Sequence, residues 1–243
     1  MLKINSLYQG DCLDLLKEID SESIDMIYID PPYNCGIKKF EIKEKSYKRI
    51  SQKWDSYSKE DYKNLIMNCF KESYRVLKNG GTILVSGMFQ NAFDNHLWLR
   101  DDIGFTFRNF ITWFKPNAMP IKFAKQIGVY AYSCEYINYF TKGRTKTFNY
   151  DIAKSMNDNK QQRDLLTFRV CKDKKTGHPS QKPLSLMEYL IKIHSNENDL
   201  VLDYFAGSGT TLVACKKLNR NFIGIEKSSE YCEMSKIRLK ELK

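Results

Sequence analysis

An apolar run over residues 24–29 ends on Asp30-Pro31-Pro32-Tyr33, and no other feature of this chain restricts its fold so tightly. Its length and β-branched content mark a buried strand. A proline pair supplies no backbone N–H and fixes φ, so the ladder must stop there. The residue before a proline is driven to extended backbone, which stretches both Asp30 and Pro31. Their carbonyls and the Asp30 carboxylate are then presented at the strand's C-terminal edge, where open α/β sheets carry their ligand crevices. Tyr33 adds a flat ring beside these acceptors. Such a corner can accept hydrogen bonds from an amino group while stacking on the ring that bears it.

A second strand-turn-helix signal lies far downstream. Leu200-Val201-Leu202-Asp203-Tyr204 reads as a strand running into Phe205-Ala206-Gly207-Ser208-Gly209-Thr210-Thr211 and then a helix to residue 218. The glycines permit close backbone approach, and the first helical turn offers free N–H groups. Residues 222–226 form another buried strand ending in Glu226, the arrangement that holds ribose hydroxyls in strand-helix-strand nucleotide sites. A nucleotide-like ligand is implied. The phosphate loop ending Gly-Lys-Ser/Thr is absent, which argues against a nucleoside triphosphatase.

At 243 residues the chain suits one α/β domain, residues 1–243, and its formal charge of +10 favours a polyanionic partner. Lysines and arginines crowd residues 34–57, directly after Tyr33, interleaved with Phe40, Tyr47 and Trp54. A second basic cluster runs from Lys142 to Lys175. Both lack periodicity and read as loops. Seven cysteines, an odd number with no Cys-x-x-Cys pair, argue against a disulfide framework and for a reducing cytoplasm. His96, His178 and His194 have no ligand spacing, so no metal is expected. There is no signal pattern and no apolar stretch near 18 residues, so no membrane association is expected.

Gly177-His178-Pro179-Ser180-Gln181-Lys182-Pro183 lies just before the glycine turn. Gly10-Asp11-Cys12-Leu13, Leu77-Lys78-Asn79-Gly80-Gly81 and Ile111-Thr112-Trp113-Phe114-Lys115-Pro116-Asn117 are further marks. With Asp30-Pro31-Pro32-Tyr33 early and the glycine loop late, the chain resembles the β class of amino-directed DNA methyltransferases over nearly its whole length. The resemblance implies a doubly wound, mostly parallel, seven-stranded Rossmann-like sheet with circularly permuted motif order and loop insertions for DNA recognition. It implies S-adenosylmethionine as cofactor and double-stranded DNA as substrate, with adenine N6 as the acceptor, because the cytosine-N4 group more often has Ser-Pro-Pro-Tyr. Cytosine N4, and a catalytically inactive basic relative, are the alternatives. RNA and protein-glutamine methyltransferases resemble Asn-Pro-Pro-Tyr with the glycine loop first, and both features differ here.

By the same resemblance Asp30, Pro31, Pro32 and Tyr33 are catalytic. Phe205, Gly207, Ser208, Gly209 and Thr211 surround the methionine and sugar of the cofactor, and Glu226 takes the ribose. Asp203 faces the methionine amino group, and Gln181 and Lys182 its carboxylate. Residues 143–177 are the expected target-recognition region. A cognate restriction endonuclease and a homodimer both stay open as partners. Tyr204 stands where the family's cofactor loop opens Asp-Pro-Phe, a departure that touches local packing only.

Strands are expected over residues 4–8, 82–86, 108–114 and 136–141. Helices are expected over 12–18, from the Ser58 cap to a stop at Asn79-Gly80-Gly81, over 89–99 and 184–194, and from Ser228 to residue 242. The cofactor strand is followed by only one more strand and helix, too little to close a nucleotide half-sheet. The missing neighbour must be the N-terminal strand. That puts Asp11 beside Glu226, near the cofactor's adenine, where it also reads as a helix N-cap.

Overall fold

Strand order explains how motifs some 170 residues apart in sequence can share one edge. The computed structural model describes residues 2–34, 57–120, 128–171 and 181–242. Its elements run β1 (Ser6–Gln9), α1 (Cys12–Leu16), β2 (Ile24–Ile29), α2 (Lys59–Val76), β3 (Leu77–Gly87), α3 (Phe89–Leu97), β4 (Thr106–Phe114) and β5 (Cys134–Thr141). They continue with α4 (Tyr150–Ser155), β6 (Leu165–Thr167), α5 (Leu184–His194), β7 (Leu200–Asp203), α6 (Thr210–Lys217), β8 (Asn221–Glu226) and α7 (Ser229–Glu241).

Among the described residues these strands form one eight-stranded sheet in the order β1-β8-β7-β2-β3-β5-β4-β6. Only β5 runs against the rest, pairing antiparallel with both β3 and β4. The mostly parallel doubly wound architecture is as expected, with one strand more than seven. The extra strand is the three-residue β6, which pairs with β4 from inside the segment anticipated for target recognition.

The N-terminal strand closes the half of the sheet that carries the glycine turn. β1 pairs in parallel with β8, Gln9 opposite Glu226, so the chain's first strand completes the sheet begun by its last. This strand starts at Ser6 rather than residue 4, because Asn5 is left-handed (φ 56°) and its side chain accepts the Phe222 N–H.

Both faces of the central strands are covered, as a parallel sheet requires. Ile24, Ile27 and Ile29 of β2 pack with Ile66 and Phe70 of α2 and with Leu202, while Met26 and Tyr28 pack on the other face with Leu186, Leu190 and Leu212 of α5 and α6. Each fully buried aliphatic of this kind is worth about 1.5–3 kcal/mol relative to exposure. Ser58 caps α2 as expected, accepting the Asp61 N–H at 3.0 Å.

Two expectations are corrected. Asn79-Gly80-Gly81 does not stop α2, which ends at Val76; the glycines form a bulge within β3, where Leu77 and Thr82 oppose Ile24 and Met26. Gly80 is required there, with φ 81° and Arg144 O and Lys146 Cβ each 2.8 Å from any added Cβ. Helix α3 also runs on past Leu97 as a π-helical stretch, Trp98–Ile103, ended by left-handed Gly104.

Candidate active site

The prolines end β2 as the sequence demands, and Asp30 leaves the sheet between β3 and β7. Its carboxylate is the meeting point of a polar cluster. Oδ1 lies 2.7 Å from the Tyr33 hydroxyl, and Oδ2 accepts from the Lys182 ammonium. The same ammonium donates to the Tyr33 hydroxyl at 2.9 Å. A second carboxylate, Glu135 of β5, mirrors Asp30: its Oε2 is 2.9 Å from the Tyr33 hydroxyl and 3.3 Å from Lys182 Nζ. The hydroxyl has one proton, so it can donate to only one of the two at a time. Glu135 Oε1 in turn pairs with Lys115 at 3.1 Å.

Burial lifts the Asp30 carboxyl above the usual carboxylate range against the pull of Lys182, and Glu135 adds to the lift. For Glu135 burial works the same way, but the Lys182 and Lys115 ammoniums outweigh it and hold the group below its usual value. Burial alone would lower the Lys182 pKa; the flanking Asp30 and Glu135 carboxylates outweigh that and raise it. Two carboxylates and two ammoniums therefore coexist as a balanced cluster. Beneath it, Tyr28 and Ser86 share a buried hydroxyl–hydroxyl bond of 2.8 Å.

One cavity of about 330 Å³ joins this corner to the downstream motif. Asp30, Pro32 and Lys182 line it together with Asp203, Phe205, Gly207, Ser208, Thr211 and Glu226. Asp11 and Gln181 line it as well. Thus the two signals, distant in sequence, open onto the same space. Pro31 is buried behind the corner.

Glu226 is fixed at the end of β8 by two backbone donors, Gly207 N–H to Oε2 at 2.7 Å and Ser228 N–H to Oε1 at 2.8 Å. Asp203 is 3% exposed and accepts the Phe205 N–H. Burial pushes its pKa up to about 7, a carboxylate whose ionised form would gain from a cation in the cavity. Asp11 caps α1 by accepting the Leu13 N–H, and it pairs with Lys227 at 3.0 Å, so the cap and the position beside Glu226 hold together. A nucleoside with an ammonium-bearing arm fits these carboxylates. Tyr204 is buried and shares a 2.9 Å hydroxyl bond with Ser73 of α2, local packing as anticipated.

Several participants escape a sequence reading. Glu135 sits at the start of β5 with no motif around it, while Lys115, which pairs with it, lies within the run over residues 111–117 already singled out. Helix α7 contributes Ser235, whose hydroxyl donates to Gly207 O at 2.8 Å, and Arg238, which donates to Ser208 and Thr210. Lys182 is not a surface side chain: it is 7% exposed with its ammonium turned to Asp30, Glu135 and Tyr33. His178, Pro179 and Ser180, the basic residues of 35–56, and Lys172, Lys174 and Lys175 lie outside the described residues. Among the described residues no cluster of metal-ligating side chains occurs, and no helix is long and apolar enough to cross a membrane.

Comparison with known proteins gives the family of the chain. The family model described as "DNA methylase" matches residues 24–237. The chain is 36% identical to the type II methyltransferase M2.MboI of Moraxella bovis, over 98% of this chain and 88% of that protein. It is 33% identical to the type II methyltransferase M.HinfI of Haemophilus influenzae, over 99% of this chain and 69% of that protein. Among solved structures, the M1.HpyAVI–SAM complex superposes with a TM-score of 0.73 at 29% identity, covering 96% of this chain and 98% of that one. The cytosine-N4-specific PvuII DNA methyltransferase shares the fold, with a TM-score of 0.78 at 22% identity over 96% of this chain and 85% of that one.

Proposed function

Because this chain belongs to the DNA methylase family and is an S-adenosylmethionine-dependent DNA amino-methyltransferase, we propose that its acceptor is the N6 amino group of an adenine flipped out of duplex DNA. One observation carries the reading: the Asp30 carboxylate and the nucleoside-type carboxylates Asp203 and Glu226 line a single cavity. Asp30 itself favours adenine over cytosine, since cytosine-N4 enzymes more often have serine at this place.

An exocyclic aromatic amine is a poor nucleophile because its lone pair is drawn into the ring. Asp30 and a carbonyl of the Pro31-Pro32 pair accept its two hydrogens, drawing the nitrogen toward tetrahedral geometry and directing its lone pair into the cavity. S-adenosylmethionine supplies an activated methyl group on sulfur. Asp30 need not be a strong base, because the amine becomes acidic only once methylated, and its proton then leaves to Asp30 or water.

Glu226 binds the ribose, Asp203 the methionine ammonium, and Gln181 the carboxylate. Asp11, Phe205, Gly207, Ser208, Gly209 and Thr211 complete that half. Lys182 is reassigned from the methionine carboxylate to the Asp30 corner, on the strength of its three partners there. Flipping costs a few kcal/mol, and stacking on the Tyr33 ring, about 1–3 kcal/mol per base, offsets much of it.

Residues 34–57 and 143–177 supply the grip on DNA. For the second, β6 adds to β4 at the edge of the sheet, and Asn117 bonds Val170 through both its amide groups, next to Lys115. Transfer of tritium from labelled S-adenosylmethionine to duplex DNA, then nucleoside digestion, tests the assignment. Label in N6-methyladenine is expected; label in N4-methylcytosine would overturn the choice of base, and label in RNA or protein alone would overturn the substrate.

A further inference from the structure

Asp30 and Glu135 compete for the same two donors. The Tyr33 hydroxyl stands 2.7 Å from Asp30 Oδ1 and 2.9 Å from Glu135 Oε2. The Lys182 ammonium bonds Asp30 Oδ2 and lies 3.3 Å from Glu135 Oε2. Asp30 therefore carries a donor on each oxygen in this structure, yet its proposed work is to accept a hydrogen from the target amine. Buried donors cannot be left unpaired without cost. Glu135 resolves the conflict, because both donors have a second carboxylate within reach and need no water to replace Asp30.

We propose that Glu135 is a positioning residue for methyl transfer: it takes up the Tyr33 hydroxyl and the Lys182 ammonium as the target amine occupies Asp30. The inference rests on the role of Asp30 given above. Lys115, at 3.1 Å from Oε1, anchors Glu135 on its far side and keeps the charge of the cluster balanced. Glu135 is absent from the lining of the cofactor cavity, so its effect is on the acceptor half of the reaction.

Removing the carboxylate would leave Tyr33 and Lys182 with Asp30 alone. The incoming amine then competes with both donors for Asp30, the Tyr33 hydroxyl has no second carboxylate to turn to, and Lys182 keeps only its contact with that hydroxyl. The charged and titratable groups around Asp30 are Tyr28, Tyr33, Lys182, Glu135 and, farther off, Asp203, with Lys115 behind Glu135. Of these, Glu135 raises the Asp30 pKa by its negative charge. Deleting that charge lowers it, so the acidic limb of the kcat profile, where Asp30 must ionise, moves to lower pH. A merely structural role for Glu135 would instead lower the thermal midpoint and raise the KM for S-adenosylmethionine together with the loss of kcat.

The experiment compares wild type, Glu135→Gln, Glu135→Asp and Asp30→Ala with unmethylated genomic duplex DNA and S-adenosylmethionine, recording kcat, the KM for S-adenosylmethionine and thermal midpoints across pH. Glu135→Gln is expected to lose kcat on the order of 10²-fold, with that KM within about twofold and its acid limb displaced downward. Glu135→Asp restores the charge, so it recovers the limb and part of the rate. An unchanged kcat in Glu135→Gln, a loss with an unmoved limb, or an aspartate no better than glutamine would each overturn the inference. Activity in Asp30→Ala would instead overturn the reading of Asp30 on which it stands.

Discussion

Position 33 carries two functions in one side chain, and substitutions can separate them. The ring is the proposed stacking face, while the hydroxyl bridges Asp30 and Lys182. From sequence alone Tyr33→Phe is expected to be milder than Tyr33→Ala, because the ring does the stacking and the motif does not show where the hydroxyl points. With the hydroxyl bonded to a carboxylate, its loss is worth about 1.5–3 kcal/mol, roughly 10–100-fold. Tyr33→Phe should therefore lower the single-turnover rate by about that factor while binding target DNA nearly as well as wild type; Tyr33→Ala should lose both. If Phe weakened DNA binding as much as Ala, the ring would not be the stacking face. Position 135 marks the limit of such reading. A lone glutamate at the start of β5 has no local pattern, and its importance arises from β5 lying beside β3, a long-range pairing.

At the scale of elements, the glycine turn shows how a helix packed from elsewhere determines what a loop tolerates. Gly209 has φ 71°, and an added Cβ would lie 2.7 Å from Ser235 Oγ of α7. Left-handed backbone costs an ordinary residue about 1–2 kcal/mol before any clash. Gly209→Ala is expected to destabilise the fold by at least about that much and to weaken S-adenosylmethionine binding in calorimetry. Binding and stability both at wild-type level would contradict the tight seat of α7 on this turn. The turn, its flanking strands and the Ile24–Ile29 strand were legible because each combines an apolar run with a local punctuator. The bulge at Gly80 was not: a glycine pair after a helix reads equally as a stop or a kink, and only pairing to β2 decides. The short β6 was invisible for a related reason, since three residues carry no periodicity and exist as a strand only through β4.

Across the whole molecule, the first and last strands meet as β1 and β8, and this topology was deducible from the shortage of strands after the glycine turn. The side of the sheet opposite α2 holds a titratable liability. His194 of α5 is buried against Tyr139 and Phe148, its Nδ1 has no hydrogen-bond partner among the described residues, and burial depresses its pKa from 6.5 to about 3. A group with a depressed folded pKa resists protonation that the unfolded chain accepts. Its contribution is thus full above pH 6.5 and is lost as pH falls toward 3. At pH 5 the loss is about 2 kcal/mol, visible as a lower urea midpoint than at pH 7.5. His194→Leu should flatten that part of the pH dependence. An equal fall in both proteins would show that the histidine is not responsible.

The account depends most on what Asp30 does, and Asp30→Ala tests it with two measurements on one preparation. Single-turnover methyl transfer to duplex DNA should vanish while calorimetric S-adenosylmethionine affinity stays within a few-fold of wild type. Retained transfer at a comparable rate would contradict the mechanism, and loss of cofactor binding in step with transfer would place Asp30 in the wrong half of the cavity.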